Sequence, residues 1–355
     1  MGLDLELTRG CILALGPLDW LITRDAENAM SPSELWSGFW TALLDAEAAV
    51  VRQVPKSAGL FVGCVLIYFV FVAVRQKDFS PRRILRRAFP KQLYSGPRFR
   101  VDLFNWSVWT TLVGPLGAAA GTLLGVAAGA GLSEMLTHWL GPRPPLLTAT
   151  WAIVAIQAAA PFWAQEFADF GMHYLGHRLP WLWSLHRAHH STEVLTYFAG
   201  ARAHPIERFT FGIPVTVIAP GIASGVTLYL TGTQLLPQTA EVLGFVYLFF
   251  GFSSQILSHS HAPISYGWFN AVIGGPIMHQ LHHSAEARHR DRNFGTNTLI
   301  FDWIFGTLYL PKRGETWTYG LNEQELGEHN PHQTLRDLYL EPLSHLWRQI
   351  RGHAR

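Results

Sequence analysis

Histidine sets this chain apart: 17 occur among 355 residues, most of them in tight clusters between His173 and His289. His173 and His177 form an H-x-x-x-H pair, a spacing that on a helix puts both imidazoles on one face, able to share a metal. Pro180 ends that helix. His186, His189 and His190 form an H-x-x-H-H box, which offers two ligands on one face and turns a third aside, suited to a second metal. His279, His282 and His283 repeat the box. A zinc site takes four protein ligands, or three and a water. The imidazoles of these three motifs exceed that set, and they fit two metals of higher coordination, a role in which imidazole suits iron. Cys11 and Cys64 supply neither a thiolate metal site nor a disulfide framework.

The elements that must position these residues are apolar. Only 15% of the chain is charged, while aromatic residues reach 13% with 14 Trp. Soluble domains carry about a quarter charged residues. A net charge of +2 gives no footprint for nucleic acid. Five apolar runs approach the length of roughly 20 residues that a bilayer demands: Ala58–Val74, Phe104–Leu132, Leu146–Phe170, Phe209–Leu230 and Val242–Leu257. The second contains the small-residue stretch Gly114–Gly131, which lets helices approach closely. The last two read as a helical hairpin. Between the first two lies Arg75–Arg100, crowded with Arg and Lys and opposed by Asp78 before Gly96. Such asymmetry marks a cytoplasmic segment. Alternating from there, every histidine cluster falls on the cytoplasmic side.

The expected fold is therefore an all-α polytopic membrane protein, with about four to five apolar helices capped by a cytoplasmic histidine-rich helical domain. Residues 58–310 would make this catalytic unit. Residues 1–57 are read as an N-terminal segment with interfacial helices: Cys11–Ile22 is apolar, but it lacks a basic leader and is broken by Pro17. Residues 311–355 turn polar and read as a cytoplasmic tail, with an amphipathic helix near Gln333–Ile350.

The order H-x-x-x-H, H-x-x-H-H, H-x-x-H-H resembles the fatty acid hydroxylase/sterol desaturase superfamily of integral membrane di-iron enzymes. The likeness runs from Phe170 to Leu310 and includes the flanks of the boxes: Pro180-Trp181-Leu182-Trp183, His204-Pro205-Ile206-Glu207, His283-Ser284-Ala285-Glu286, Asn293-Phe294-Gly295 and Asp302-Trp303-Ile304-Phe305-Gly306-Thr307. The resemblance implies two iron ions, a membrane lipid substrate and O2, acting in a bacterial inner membrane or, in a eukaryote, the endoplasmic reticulum. It also implies a further ligand histidine after the hairpin, a position held here by His259.

Around these ligands stand supporting candidates, each open to a plainer reading. Asp169, one turn before His173, is either an acceptor for a ligating imidazole or an interfacial acid. His204 is either close to the metals or part of a turn. Gln255 and His261 flank His259, as completing groups or as ordinary neighbours, and Asn293 could orient a ligand. His138, His289, His329, His332, His345 and His353 are read as surface residues. An unactivated C–H bond offers no acidic proton, so the chemistry needs a redox metal. Neither a Gly-rich dinucleotide fingerprint nor a haem domain is present, so the electrons would come from a separate reductase or carrier protein. Hydroxylation and desaturation fit the same centre. A zinc-dependent hydrolase predicts fewer ligands, and a metal transporter predicts polar residues spread through the bilayer depth.

Overall fold

The computed structural model describes Leu66, Phe69, Val70, Ala73, Val74, Lys77 and residues 79–352, apart from 251–256, 323–324 and 326–329. The readings of residues 1–57, of most of Ala58–Val74, and of Gln255, His329 and His353 lie outside the described residues. What is described is helical, and no strand occurs among the described residues. In chain order the helices are α1 (Pro81–Ala88), α2 (Pro97–Val108), α3 (Gly114–Leu140), α4 (Thr150–Arg178), α5 (Pro180–His190), α6 (Pro205–Ile213), α7 (Ala219–Thr231), α8 (Pro237–Phe250), α9 (Pro276–His282), α10 (Ile300–Phe305) and α11 (Leu335–Ile350). π-helical turns carry α2 into α3 at Trp109–Val113 and α6 into α7 at Pro214–Ile218.

Prolines punctuate these helices as their chemistry requires. Pro180, Pro205 and Pro276 each stand in the first turn of a helix, where a missing N–H costs nothing. Among the described residues, one continuous helix, Pro205–Thr231, is long and apolar enough to cross a membrane. α3 and α4 are as long, at 27 and 29 residues. The others in the expected set of four to five do not meet that standard among the described residues.

The chain divides into two compact units. In the first (Met1–Leu60, Val108–Pro161 and Pro220–Val246), α3 and α7 touch through glycine. A Cβ added at Gly225 would stand 2.6 Å from the Gly129 carbonyl oxygen, and one at Gly221 would stand 3.1 Å from that of Gly125. Here the small-residue stretch does what it promised. In the same unit the buried Gln157 amide accepts from Leu236 N and Thr239 Oγ1 and donates to the Gln234 carbonyl, which pins the start of α8.

The second unit (Phe61–Ser107, Phe162–Ala219 and Tyr247–Arg355) holds every histidine box. The described residues beyond 310 belong to it. α11 packs on α5 and buries Leu338 and Pro342. Its start is capped by Thr334, whose hydroxyl accepts from Asp337 N. Buried charge ties these segments together. Arg202 donates to Asp102 at 2.8 Å, to Ser191 Oγ at 3.0 Å and to the His332 carbonyl at 2.9 Å. Arg187 lies 3.5 Å from Glu341, which also accepts from His332 at 2.7 Å. Losing one partner of such a network would strand a charge in a low-dielectric interior.

Candidate metal centre

Successive residues on a helix point about 100° apart, whereas residues i and i+4 point within about 40° of each other. An H-x-x-H-H box therefore sends its first and last histidines one way and its middle one another. Both boxes do this, and they do it in opposite senses. From α5, His186 and His190 join His173 and His177 of α4, and His189 turns away. From α9, His279 and the following His283 join His189 and His259, while His282 crosses to the α4 group. The rings of His189 and His190 lie 89° apart, and those of His282 and His283 lie 90° apart. The result is two adjoining cages, one of five histidines (His173, His177, His186, His190, His282) and one of four (His189, His259, His279, His283).

Within each cage the Nε2 atoms converge. In the first, His190 Nε2 lies 3.1 Å from the Nε2 atoms of His177, His186 and His282. In the second, His259 Nε2 stands 3.2 Å from His189, 3.2 Å from His283 and 3.0 Å from His279. At such distances one Nε2 donates a proton to its neighbour, or, where lone pairs face one another, a cation among them offsets their repulsion. The spacing also bears on whether the nitrogens can share one cation. With metal–nitrogen bonds of about 2.1 Å, ligands at right angles hold their nitrogens ~3.0 Å apart and tetrahedral ligands ~3.4 Å. The observed values run from the right-angle spacing to midway between the two, close enough for the nitrogens of each cage to share one metal. The donor set thus fits a pair of metal ions bound by imidazole.

In five of the nine rings the opposite nitrogen faces a backbone carbonyl or a carboxylate, which fixes that ring's tautomer, whereas Nδ1 of His279 and His283 is buried without a hydrogen-bond partner. Nδ1 of His173 meets the Phe294 carbonyl at 2.6 Å, that of His282 meets the Arg292 carbonyl at 2.7 Å, and that of His189 meets the Arg202 carbonyl at 3.1 Å. His186 Nδ1 meets Glu207 Oε1 at 2.7 Å, and His177 Nδ1 lies 3.5 Å from Asp291. Burial pushes the six box histidines well below their ordinary pKa, so near neutrality each keeps its lone pair. Seven of the nine cage histidines are buried, and His177 and His259 are partly so.

Two of these carbonyls, those of Arg292 and Phe294, sit on a loop held by two buried acids. Asp302 accepts from Phe294 N at 2.8 Å, Gly295 N at 2.7 Å and Thr307 Oγ1 at 2.6 Å. Glu166 accepts from Asn297 Nδ2 at 2.7 Å and Thr298 N at 3.1 Å. Gly295 is required there, because a Cβ would fall 2.0 Å from the Thr298 carbonyl oxygen. Asn293, in a left-handed conformation with φ 56°, pairs through its side chain with both backbone groups of Tyr309. It therefore holds the loop rather than a ring. Asp169 faces Thr296, and the His173 N–H it was expected to accept goes to Phe294 instead.

His204 is part of a turn. Its Nδ1 caps α6 by accepting from Ile206 N, and its Nε2 meets the Tyr339 carbonyl. His261 joins neither cage; it faces the Arg87 carbonyl at 2.9 Å and Tyr94. His259 is steadied from α9, where Gln280 donates to the carbonyls of Ser260 and Ala262. Gly200 leaves room for its ring, since a Cβ there would lie 2.7 Å from Nδ1. His289 and His332, expected at the surface, are fully buried. His289 lies between Ser284 Oγ at 2.9 Å and Glu315 at 3.1 Å. Sequence reasoning gave no role to Glu207, Asp291, Asp302 or Gln280. Two of them, Glu207 and Asp302, lie in flanks that carried the family likeness.

The fatty acid hydroxylase family model matches residues 158–307. Among characterised proteins, the chain is 28% identical over 198 residues to an ornithine lipid hydroxylase, OlsE, of Rhizobium tropici, covering 51% of this chain and 55% of that one. It is 26% identical over 179 residues to an alkylglycerol monooxygenase of Caenorhabditis elegans (49% and 30% covered). It is also 26% identical over 175 residues to methylsterol monooxygenase 2-2 of Arabidopsis thaliana (47% and 58%). The matched region thus spans little more than half of these relatives at most. No solved structure matches the chain. All nine cage histidines lie inside the region that the fatty acid hydroxylase family model matches.

Proposed function

We propose that this protein is a membrane-embedded di-iron enzyme that uses O2 and externally supplied electrons to hydroxylate a C–H bond of a lipid. The observation that carries the reading is the pair of adjoining cages, five and four imidazoles with Nε2 atoms close enough to share one metal in each. Iron bound there would supply the oxidation of an unactivated C–H bond, with the same centre open to desaturation. The protein's own part is to hold the imidazoles in place, four of them through the Phe294, Arg292 and Arg202 carbonyls and the Glu207 carboxylate. Phe294, fully buried, lays its ring against His173, His177 and His282 and keeps bulk water from that side. A dry cage raises the strength of every electrostatic contact within it.

Placement in a bilayer, with several spanning helices and the cages on the cytoplasmic side, is supported by the apolar helix Pro205–Thr231. It is also supported by large exposed apolar side chains such as Trp151, Trp139 and Phe245, each more than two-thirds exposed. The exposed arginines Arg82, Arg83 and Arg86 of α1 lie in the basic segment and suit the headgroup side. The electron donor is proposed to be a separate carrier protein or reductase. Zinc hydrolysis is disfavoured by the ligand number.

The deciding experiment is metal analysis of anaerobically purified protein, joined to lipid profiling of cells with and without the gene. Two irons per chain and a lipid that gains one oxygen atom are expected. One zinc, no iron and an unchanged lipid profile would overturn the proposal.

A further inference from the structure

Beside the five-histidine cage, a cavity of about 360 Å³ opens between the end of α4, residues 290–292 and the turn after α10. That volume is within the range of small-molecule sites. Its wall carries Arg178, Arg290 and Arg292 against a single acid, Asp291. Arg178 lies 3.6 Å from Asp291, and Arg290 lies 3.1 Å from Glu325. Arg292 donates to the neutral Gly306 carbonyl. Three guanidinium groups thus face two carboxylates, and positive charge is left over. Arg178 and Arg290 are about half exposed, so their donors can still reach a ligand.

The other wall is aromatic. Arg178 lies over the Tyr174 ring, and Phe305 is 56% exposed. Phe305 continues into a bare ridge with Trp303 at 71% and Ile304 at 59% exposure. Forked cationic donors match a phosphate group, and bare apolar side chains alongside them match hydrocarbon. A soluble anion would use the arginines and leave the ridge in water. A diacyl phospholipid uses both.

We infer that this cavity binds the phosphate of a phospholipid headgroup, with the acyl chains lying along Trp303, Ile304 and Phe305. The lipid source rests on the membrane placement proposed above, but not on the redox chemistry. The site adjoins the metal centre through Asp291, whose two carboxylate oxygens face His177 and Arg178.

The test uses the full chain in detergent, titrated with short-chain phosphatidic acid, the matching diacylglycerol and inorganic phosphate, with thermal unfolding and tryptophan fluorescence as readouts. Phosphatidic acid should raise the unfolding temperature saturably, while the other two at equal concentration should not. Arg290→Ala should weaken phosphatidic acid binding roughly fivefold and Arg290→Glu at least as much, with metal content unchanged as proof of folding. An equal response to diacylglycerol would overturn the inference, and so would undiminished affinity in both variants. A full response to inorganic phosphate alone would make this a soluble-anion site and overturn the lipid assignment. Unaltered binding in a protein without iron would sink the proposed function and leave this inference standing. Absent binding in an iron-loaded, active protein would do the reverse.

Discussion

Glu207 is the sharpest point at which to press the reading of the cages. Its Oε1 lies 2.7 Å from His186 Nδ1, and the two side chains are only 7% and 5% exposed. Its Oε2 is buried with no hydrogen-bond partner. A carboxylate in that position is costly to bury unless positive charge lies beyond the ring it touches. Two bound cations would provide that charge, relayed through an imidazole held in the Nδ1–H tautomer. Removing a carboxylate that orients a metal-bound histidine typically costs 10–100-fold in metal affinity, or about 1.4–2.7 kcal/mol. Glu207→Gln keeps an acceptor of the same shape and loses the charge, so it should fall near the tenfold end. Glu207→Leu loses both and should approach a hundredfold. Competition against a chelator, with metal counted per chain, measures this directly. The loss should be confined to the five-histidine cage, so stoichiometry should fall from two toward one. Wild-type affinity in Glu207→Leu, or equal loss from both cages, would refute the argument.

Other outcomes follow from the same geometry. His186→Ala and His282→Ala should each abolish activity, whereas His345→Ala, which loses one contact at 2.8 Å with Ser184 Oγ, should retain it in the same assay. Metal-free protein should lose stability as the pH falls from 6.5 to 5.5. The box histidines are depressed in the folded state by burial, so the unfolded chain takes up protons first, at roughly 1 kcal/mol for each histidine across that interval; a flat profile in thermal melts would contradict it. Asp302→Ala should release the 293–295 loop and destabilise by about 3 kcal/mol or more, read as the denaturation midpoint, because three donors lose their acceptor together. Gly225→Leu should destabilise by about 1–3 kcal/mol through the clash with Gly129 and Leu132, while Gly117→Ala, which meets nothing, should be close to neutral.

Much of the centre was legible because it is local. The i, i+4 spacing of His173 and His177 and the shape of each H-x-x-H-H box are helix geometry, and Pro180 and Pro276 mark the helices that carry the boxes. The amphipathic pattern near Gln333–Ile350 likewise announced α11, observed at Leu335–Ile350. Less legible was what α11 does. Its polar composition suggested a tail, yet it buries Leu338 and Pro342 and packs on α5, a contact between segments more than a hundred residues apart. The buried His289 and His332 were missed for a related reason: nothing in their immediate neighbours tells that Glu315 or Glu341 will satisfy the ring nitrogens.

The chain's covalent order by itself determined that imidazoles would come as a pair and two boxes of three, that no thiolate would compete, and that each box would split its histidines by a helical turn. Which cage each split serves was decided only by tertiary structure. His282 crosses to the partners of α4 because the Arg292 carbonyl meets its ring, and that carbonyl is in place because Asp302 and Glu166 fold residues 293–298 into a tight loop. His259 completes the other cage because Gln280 and the gap left by Gly200 admit it. Rotation about a helix axis is a local property that one segment can express. Convergence of nine nitrogens from four segments depends on which buried hydrogen bonds the whole fold can satisfy together, and short-range sequence carries no record of that.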